Sequence, residues 1–225
     1  MSNLRIRFFV FMTAVLFVAC WNMPVLALPI VSPVGISGTS FSTLAGDLDQ
    51  TIDQSGLSAG FVSGVDDFDT YIDRNPTHDP SNPTNAWINS GVSPFPGNID
   101  YDLGEVLSVS TFALWGFTTN LTINSFTLFG SLDPSFAVSE DMGSFNASIL
   151  NPIAAQTFEI ATPADAQYIR LQVNSNFDNS VPNVPIVVIS EVAFEAVPEP
   201  ATLLLLSTGL AGLVGFGRRK FLANR

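Results

Sequence analysis

The chain of 225 residues holds a single cysteine, Cys20, and a single histidine, His78. Cys20 lies near the N-terminus, so the body of the chain can form no disulfide, no thiolate zinc site and no cysteine nucleophile. Without staples, stability has to come from buried apolar surface. Cations are nearly absent from the middle. Only Arg74 and Arg170 fall within residues 28–196, against nineteen of the twenty carboxylates, which leaves this region near −17. Such a surface repels nucleic acid and excludes DNA or RNA as a partner. It can attract cations such as Ca²⁺, although most of these carboxylates simply solvate the surface. No internal repeat and no long amphipathic helix is found. His78 stands in Pro76-Thr77-His78-Asp79-Pro80. A proline-rich exposed loop is a poor place for an oriented catalytic base. Nothing singles out a carboxylate pair for glycosidase chemistry, so an enzyme is not expected.

What the chain does have is concentrated at its ends. Arg5 and Arg7 precede an uncharged run, Phe8 to Ala19. Twelve residues make about 18 Å of helix, too short for a hydrocarbon core of about 30 Å. Val25-Leu26-Ala27 follows as a small-residue cleavage site. Residues 1–27 therefore read as a signal peptide, passed to the Sec translocon and cut by signal peptidase after Ala27. Two alternatives stay open: an uncleaved anchor, and lipidation of Cys20, since Phe17-Val18-Ala19-Cys20 loosely resembles a lipobox.

At the other end, Val197-Pro198-Glu199-Pro200 is followed by an apolar stretch, residues 201–217, and by Arg218-Arg219-Lys220. The prolines deny the chain helical hydrogen bonds and favour an extended, accessible segment. The apolar stretch has the length of a short membrane helix, and its glycines allow close helix packing. The basic cluster stays cytoplasmic by the positive-inside rule. In order and spacing the three parts resemble the PEP-CTERM sorting signal, with Pro198, Glu199 and Pro200 as its motif. That resemblance implies recognition by an exosortase, a membrane cysteine protease-transpeptidase, and transfer to the cell surface or extracellular matrix. The precursor would sit in the inner membrane through the C-terminal helix. An ordinary single-pass anchor with a proline hinge is the other reading.

Between the ends, residues 28–196 read as one extracytoplasmic domain, large enough for a real core. Residues 28–60 show weak periodicity and residues 74–85 form a loop. From there the pattern is β. Residues 98–103 and 168–173 alternate apolar with polar, and residues 112–115 form a fully apolar run. Residues 123–130 put Phe126 and Leu128 on one face and Thr127 and Phe129 on the other. Shorter candidates are 136–138 and 157–160, and 186–194 closes the domain. Short, evenly spaced strands predict an all-β, antiparallel β-sandwich.

Four blocks in order resemble the discoidin-like modules of the galactose-binding-like superfamily, a jelly-roll fold. They are Ile99-Asp100-Tyr101-Asp102-Leu103-Gly104, Phe126 to Asp133, Ala166-Gln167-Tyr168-Ile169-Arg170-Leu171 and Ile189-Ser190-Glu191-Val192. Before residue 98 the match is poor: Asp66-Asp67-Phe68-Asp69-Thr70-Tyr71 stands where the family has Asp-Gly, then Thr-x-Trp. The resemblance implies one structural Ca²⁺, for which Asp66, Asp67, Asp69, Thr70 and Glu191 are the counterparts. Hard oxygen ligands are what that ion needs. The other reading is that the aspartates solvate a turn. Sugars are gripped by aromatic faces with polar groups around them, and Tyr71, Arg74 and Trp87 are the candidates, though Trp87 could also be core. The expectation is a surface or biofilm-matrix protein binding extracellular polysaccharide without catalysis. A purely structural surface-layer protein is the alternative, a polysaccharide hydrolase the remoter one.

Overall fold

The computed structural model describes residues 28–79, 85–91, 94–117, 120–177 and 185–197. The signal peptide with Ala27 and Cys20, the motif Pro198-Glu199-Pro200, the helix expected over 201–217 and the cluster Arg218, Arg219, Lys220 lie outside the described residues. Ten strands follow one another within them: β1 (Ile30–Val31), β2 (Gly35–Thr39), β3 (Thr43–Ala45), β4 (Trp87–Asn89), β5 (Gly97–Trp115), β6 (Ile123–Ser131), β7 (Glu140–Asn146), β8 (Gln156–Asn176), β9 (Val188–Ile189) and β10 (Glu191–Val197). One short helix, α1 (Phe68–Ile72), and a 3-10 turn at Leu48–Thr51 complete them.

The larger sheet of the sandwich is built on two long strands, β5 and β8. The first part of β5, Gly97–Asp102, pairs with Val173–Tyr168 of β8 and with β2. Its second part, Leu107–Leu114, pairs with Ala166–Gln156 of β8, and β10 flanks it on the other side. These strands thus make one seven-stranded antiparallel sheet, β1-β10-β5-β8-β6-β7 with β2 also on β5, and β3-β4-β9 make a separate three-stranded antiparallel sheet that places Trp87 and Ile189 in the core. The corner of β5 lies at Gly104, whose φ of +82° favours glycine. Its N–H donates to Asp102 Oδ1 at 2.8 Å, and the β5–β8 register shifts between Asp102 and Leu107.

Alternation decides which side chains fill the space between layers. Ile99, Tyr101 and Leu103 of β5, Ile169, Leu171 and Val173 of β8, and Phe126 and Leu128 of β6 are all buried there. Phenylalanines meet at its centre: Phe112 is 5.5 Å from Phe126, which is 4.9 Å from Phe158 at a near-right angle. Edge-to-face pairs of this kind add about 0.5–1.5 kcal/mol beyond burial. The run Phe112-Ala113-Leu114-Trp115 is apolar throughout because both of its faces are covered. Phe112 and Leu114 face the main core, whereas Ala113 and Trp115 face a second cluster with Ile30, Phe61, Phe68 and Tyr71. Helix α1 is therefore laid over the outside of the β10-β5 layer.

The all-β antiparallel sandwich agrees with the sequence, but its strands are not evenly short. β5 and β8 run for 19 and 21 residues. The candidates 157–160 and 168–173 are parts of one strand. Pro163 does not break it, because the register jumps from Thr111–Glu159 to Val109–Ala164 and residues 161–163 bulge into solvent. Residues 136–138 are not a strand. Phe136 has φ +54° in a turn, and its ring lies 4.1 Å beneath the Arg170 guanidinium. The edge strand is β7, farther along.

Candidate functional site

Glu191 opens β10 opposite Trp115 and is fully buried. Its Oε2 accepts the backbone N–H of Gln54 at 2.8 Å, and its Oε1 has no partner. Gln54 adopts φ +62° and locks its own loop: its amide accepts from Phe61 N at 2.8 Å and donates to Phe61 O at 3.1 Å. This holds Asp53 close enough for its charge to act on Glu191. Burial pushes the Glu191 carboxyl up to about 9; the Gln54 N–H opposes the rise and the Asp53 charge adds to it. Asp53 Oδ1 accepts from Ser55 N at 2.8 Å, while Ser55 Oγ is buried without a partner.

His78 joins the same loop from the other side. It is 1% exposed, which corrects the expectation of an exposed proline-rich loop. Its Nε2 lies 3.1 Å from Ser55 O and 3.0 Å from Asn85 O. Two carbonyls facing one nitrogen assign the proton to Nε2, so Nδ1 keeps a lone pair, and it is buried without a partner. Burial lowers the His78 pKa, against the opposing pull of the Asn85 and Ser55 carbonyls and the Asp79 charge. Gly56 has φ +85°, and a Cβ there would meet His78 Nε2 at 2.6 Å. Three orphaned polar atoms, Glu191 Oε1, Ser55 Oγ and His78 Nδ1, thus sit on or against one loop. The loop is zipped to residues 77–79 by Ser58 N to Thr77 O (2.7 Å) and Asp79 N to Gly56 O (2.8 Å). Asp53, Ser58, Ala59, Gly60, Asp73, Arg74 and Asn75 are exposed on these paired loops.

The sequence-predicted residues fall elsewhere. Asp66 Oδ2 accepts from Val62 N at 2.8 Å and closes a turn. Asp67 caps α1, accepting from Thr70 N at 2.8 Å, and bonds from Thr70, side chain before backbone, hold its carboxyl below the usual range. Asp69 and Thr70 are exposed on α1. Burial first, then the charges of Glu195, Asp67 and Asp73, raise the Asp69 pKa. Asp69 therefore senses Glu195 near the far end of β10. Glu191 meets Asp53 and Gln54, thirteen residues earlier than Asp66 and Asp67. Among the described residues no three His, Cys, Asp or Glu side chains converge as a metal-holding group. The set Asp66, Asp67, Asp69, Thr70 with Glu191 is thus not assembled, because capping a helix start uses the aspartates locally.

Two of the three sugar candidates are core. Tyr71 is 1% exposed, stacks 5.0 Å from Phe61 and donates its hydroxyl to Ala59 O at 2.6 Å. Trp87 is fully buried, with Nε1 donating to Thr43 Oγ1 at 2.9 Å and its ring 5.8 Å from Phe41. Neither offers a face to a ligand. Arg74 is exposed, and among the described residues the one ion pair is Arg170 with Asp100, at 2.7 Å. The Asp53–Gly56 loop was missed because it lies in the stretch of weak periodicity; Gly56 after three polar residues is the signal that marks it as a turn.

Several solved structures are similar to this sandwich. The C-terminal domain of a chitobiase from Bacteroides fragilis is 18% identical, with TM-score 0.51, covering 75% of this chain and 97% of that one. The family 32 carbohydrate-binding module of C. perfringens NanJ, solved in complex with galactose, is 14% identical with TM-score 0.47, covering 70% and 90%. The family 32 module of Streptococcus pneumoniae EndoD is 14% identical with TM-score 0.48, covering 73% and 97%. The shared feature is the fold, an antiparallel β-sandwich. Residues 196–220 match the PEP-CTERM protein-sorting motif, so this sandwich is carried by a chain with an export and sorting signal. No curated protein matches the chain.

Proposed function

We propose that the chain is an exported surface or extracellular-matrix protein, processed by an exosortase, whose sandwich binds polysaccharide or another surface component without catalysis. The observation that carries this reading is one of continuity. The last strand of the sandwich ends at Val197, and Pro198-Glu199-Pro200 follows directly within the matched motif. A folded module and a sorting signal joined without a linker describe a domain delivered to the cell exterior. The saccharide face in this reading is the pair of loops around Arg74, where polar side chains are exposed. Arg74 is the surviving candidate of the three.

A structural Ca²⁺ belongs to the same reading, with its residues revised. Glu191 Oε1 and Ser55 Oγ are buried oxygens without partners, and Asp53 supplies the nearest second carboxylate. Hard oxygens lacking donors suit this cation, which would neutralise Glu191 and pin the loop to β10. A structural matrix role without a ligand is the competing reading, favoured by the burial of Tyr71 and Trp87.

The test uses the processed protein and the producing cells' extracellular polysaccharide, with Ca²⁺ or with chelator. Saturable binding weakened by Arg74→Ala is expected. No binding in either condition overturns the saccharide reading, and reducing-sugar release overturns the absence of catalysis.

A further inference from the structure

At the opposite end of β10 from Glu191 lies a groove of about 690 Å³. Its walls are mixed: Val31, Val34, Leu103, Val106 and Ala196 supply apolar surface, and Ser32, Ser63 and Glu105 polar surface. Val34 is 70% exposed and Val106 40%. Ser63 and Gly64 also line it, and their neighbours Val62 and Val65 are 59% and 73% exposed. Two exposed valines on one concavity, Val34 and Val106, differ from the singly scattered apolar residues that any surface carries.

Ser32 lines the groove and is 93% buried, being 7% exposed, yet its Oγ has no hydrogen-bond partner. Its backbone N–H is satisfied by Ser63 Oγ at 3.0 Å, so the hydroxyl alone is left over. That oxygen is itself enclosed, so Ser32 closes the floor of the groove.

Position says what the occupant is. Ala196 stands two residues before Pro198, and residue 201 opens the apolar segment. Five residues span at most about 18 Å. Whatever grips Pro198-Glu199-Pro200 at the membrane face therefore also faces this groove. We propose that the groove is a docking surface for the membrane-embedded enzyme that processes the tail, taking one of its apolar side chains between Val34 and Val106. This rests on the exosortase reading above. A lipid surface fits less well. The site is concave, Glu105 lines it, and neither arginine of the domain does, whereas bacterial headgroups are largely anionic. The contact need not be strong, because the tail holds the two partners together at an effective concentration of about millimolar.

The experiment follows tail processing of the full precursor in the producing cells by pulse-chase. A Val34→Asp/Val106→Asp double variant is compared with Leu150→Asp, a 92% exposed position on the loop beside Gly116. Processing slowed on the order of tenfold in the double variant, and unchanged in Leu150→Asp, is expected. Melting temperatures of the three released domains within a few degrees separate docking from unfolding. Wild-type processing of the double variant overturns the groove. An alanine replacement of Pro198-Glu199-Pro200 that is still processed overturns the sorting reading instead. In phosphatidylcholine–phosphatidylglycerol vesicles without enzyme, a label at Val106→Cys should escape a lipid-borne quencher that reaches one at Leu205→Cys. Equal quenching overturns the proposal in favour of a lipid contact.

Discussion

Glu191 is a carboxyl without a countercharge, and its behaviour with pH follows from that. Unfolded it has the ordinary value of 4.5; folded it titrates near 9. Below about 4.5 both states hold the proton. Above that the unfolded chain releases it while the folded chain keeps it, so stability falls as pH rises from about 4.5 to about 9. The cation-free protein should therefore lose melting temperature steadily over this window, followed by circular dichroism, and Glu191→Gln should flatten the decline. Added Ca²⁺ should remove it in the wild type and do nothing in the variant; identical curves with and without the ion sink the metal. The importance of Glu191 could be read from a four-residue block, but its partner could not. Gln54 reaches it across 137 positions of chain, a distance no local pattern encodes. Tyr71 and Trp87 taught the complementary lesson, since an aromatic near a loop gives the same local signal whether it caps a core or a sugar.

Among elements, the second half of the chain was legible where its strands alternate against the main core. Period two alone put Phe126 and Leu128 on one face and set Ile99 and Leu171 apart from their polar neighbours, and all four are fully buried. The first half was illegible for a physical reason. β2 holds one large apolar residue, Ile36, among small and polar ones, too little for a pattern, and it takes its form from pairing with β5 some sixty positions away. β7 likewise exposes most of its residues and borrows its form from β6. Two substitutions separate the roles of core and corner. Phe126→Ala removes the ring that touches Phe112, Phe145 and Phe158, and should cost about 3–5 kcal/mol in a urea titration. Gly104→Ala should cost about 1–3 kcal/mol, since its φ of +82° strains any side chain and Val34 Cγ2 would lie 3.1 Å away.

For the whole molecule, charge and polarity set the terms. A domain near −17 repels itself, and salt screens that repulsion over about 10 Å at 0.1 M. Its melting temperature should therefore rise from low to moderate salt before any specific ion is considered; a flat salt profile would show that the charges are already compensated. The two ends of the sandwich differ in kind. One gathers the zipped loops, Glu191 and His78; the other releases the tail beside the valine groove.

The path of β10 between those ends has a mechanical meaning. It starts at Glu191 among the loops, ends at Val197 beside the tail, and is bonded to β5 along its whole length, from Trp115 to Ser108. The ladder bonds of an antiparallel pair run across the strands. A pull between material held at the loops and an anchor at the tail therefore acts along β10 and strains all its rungs together. A strand loaded in that direction shears only when many bonds give way at once, whereas one peeled from its end yields a rung at a time. The same strand that completes the core is thus oriented to carry tension between the loops at its start and the tail at its end.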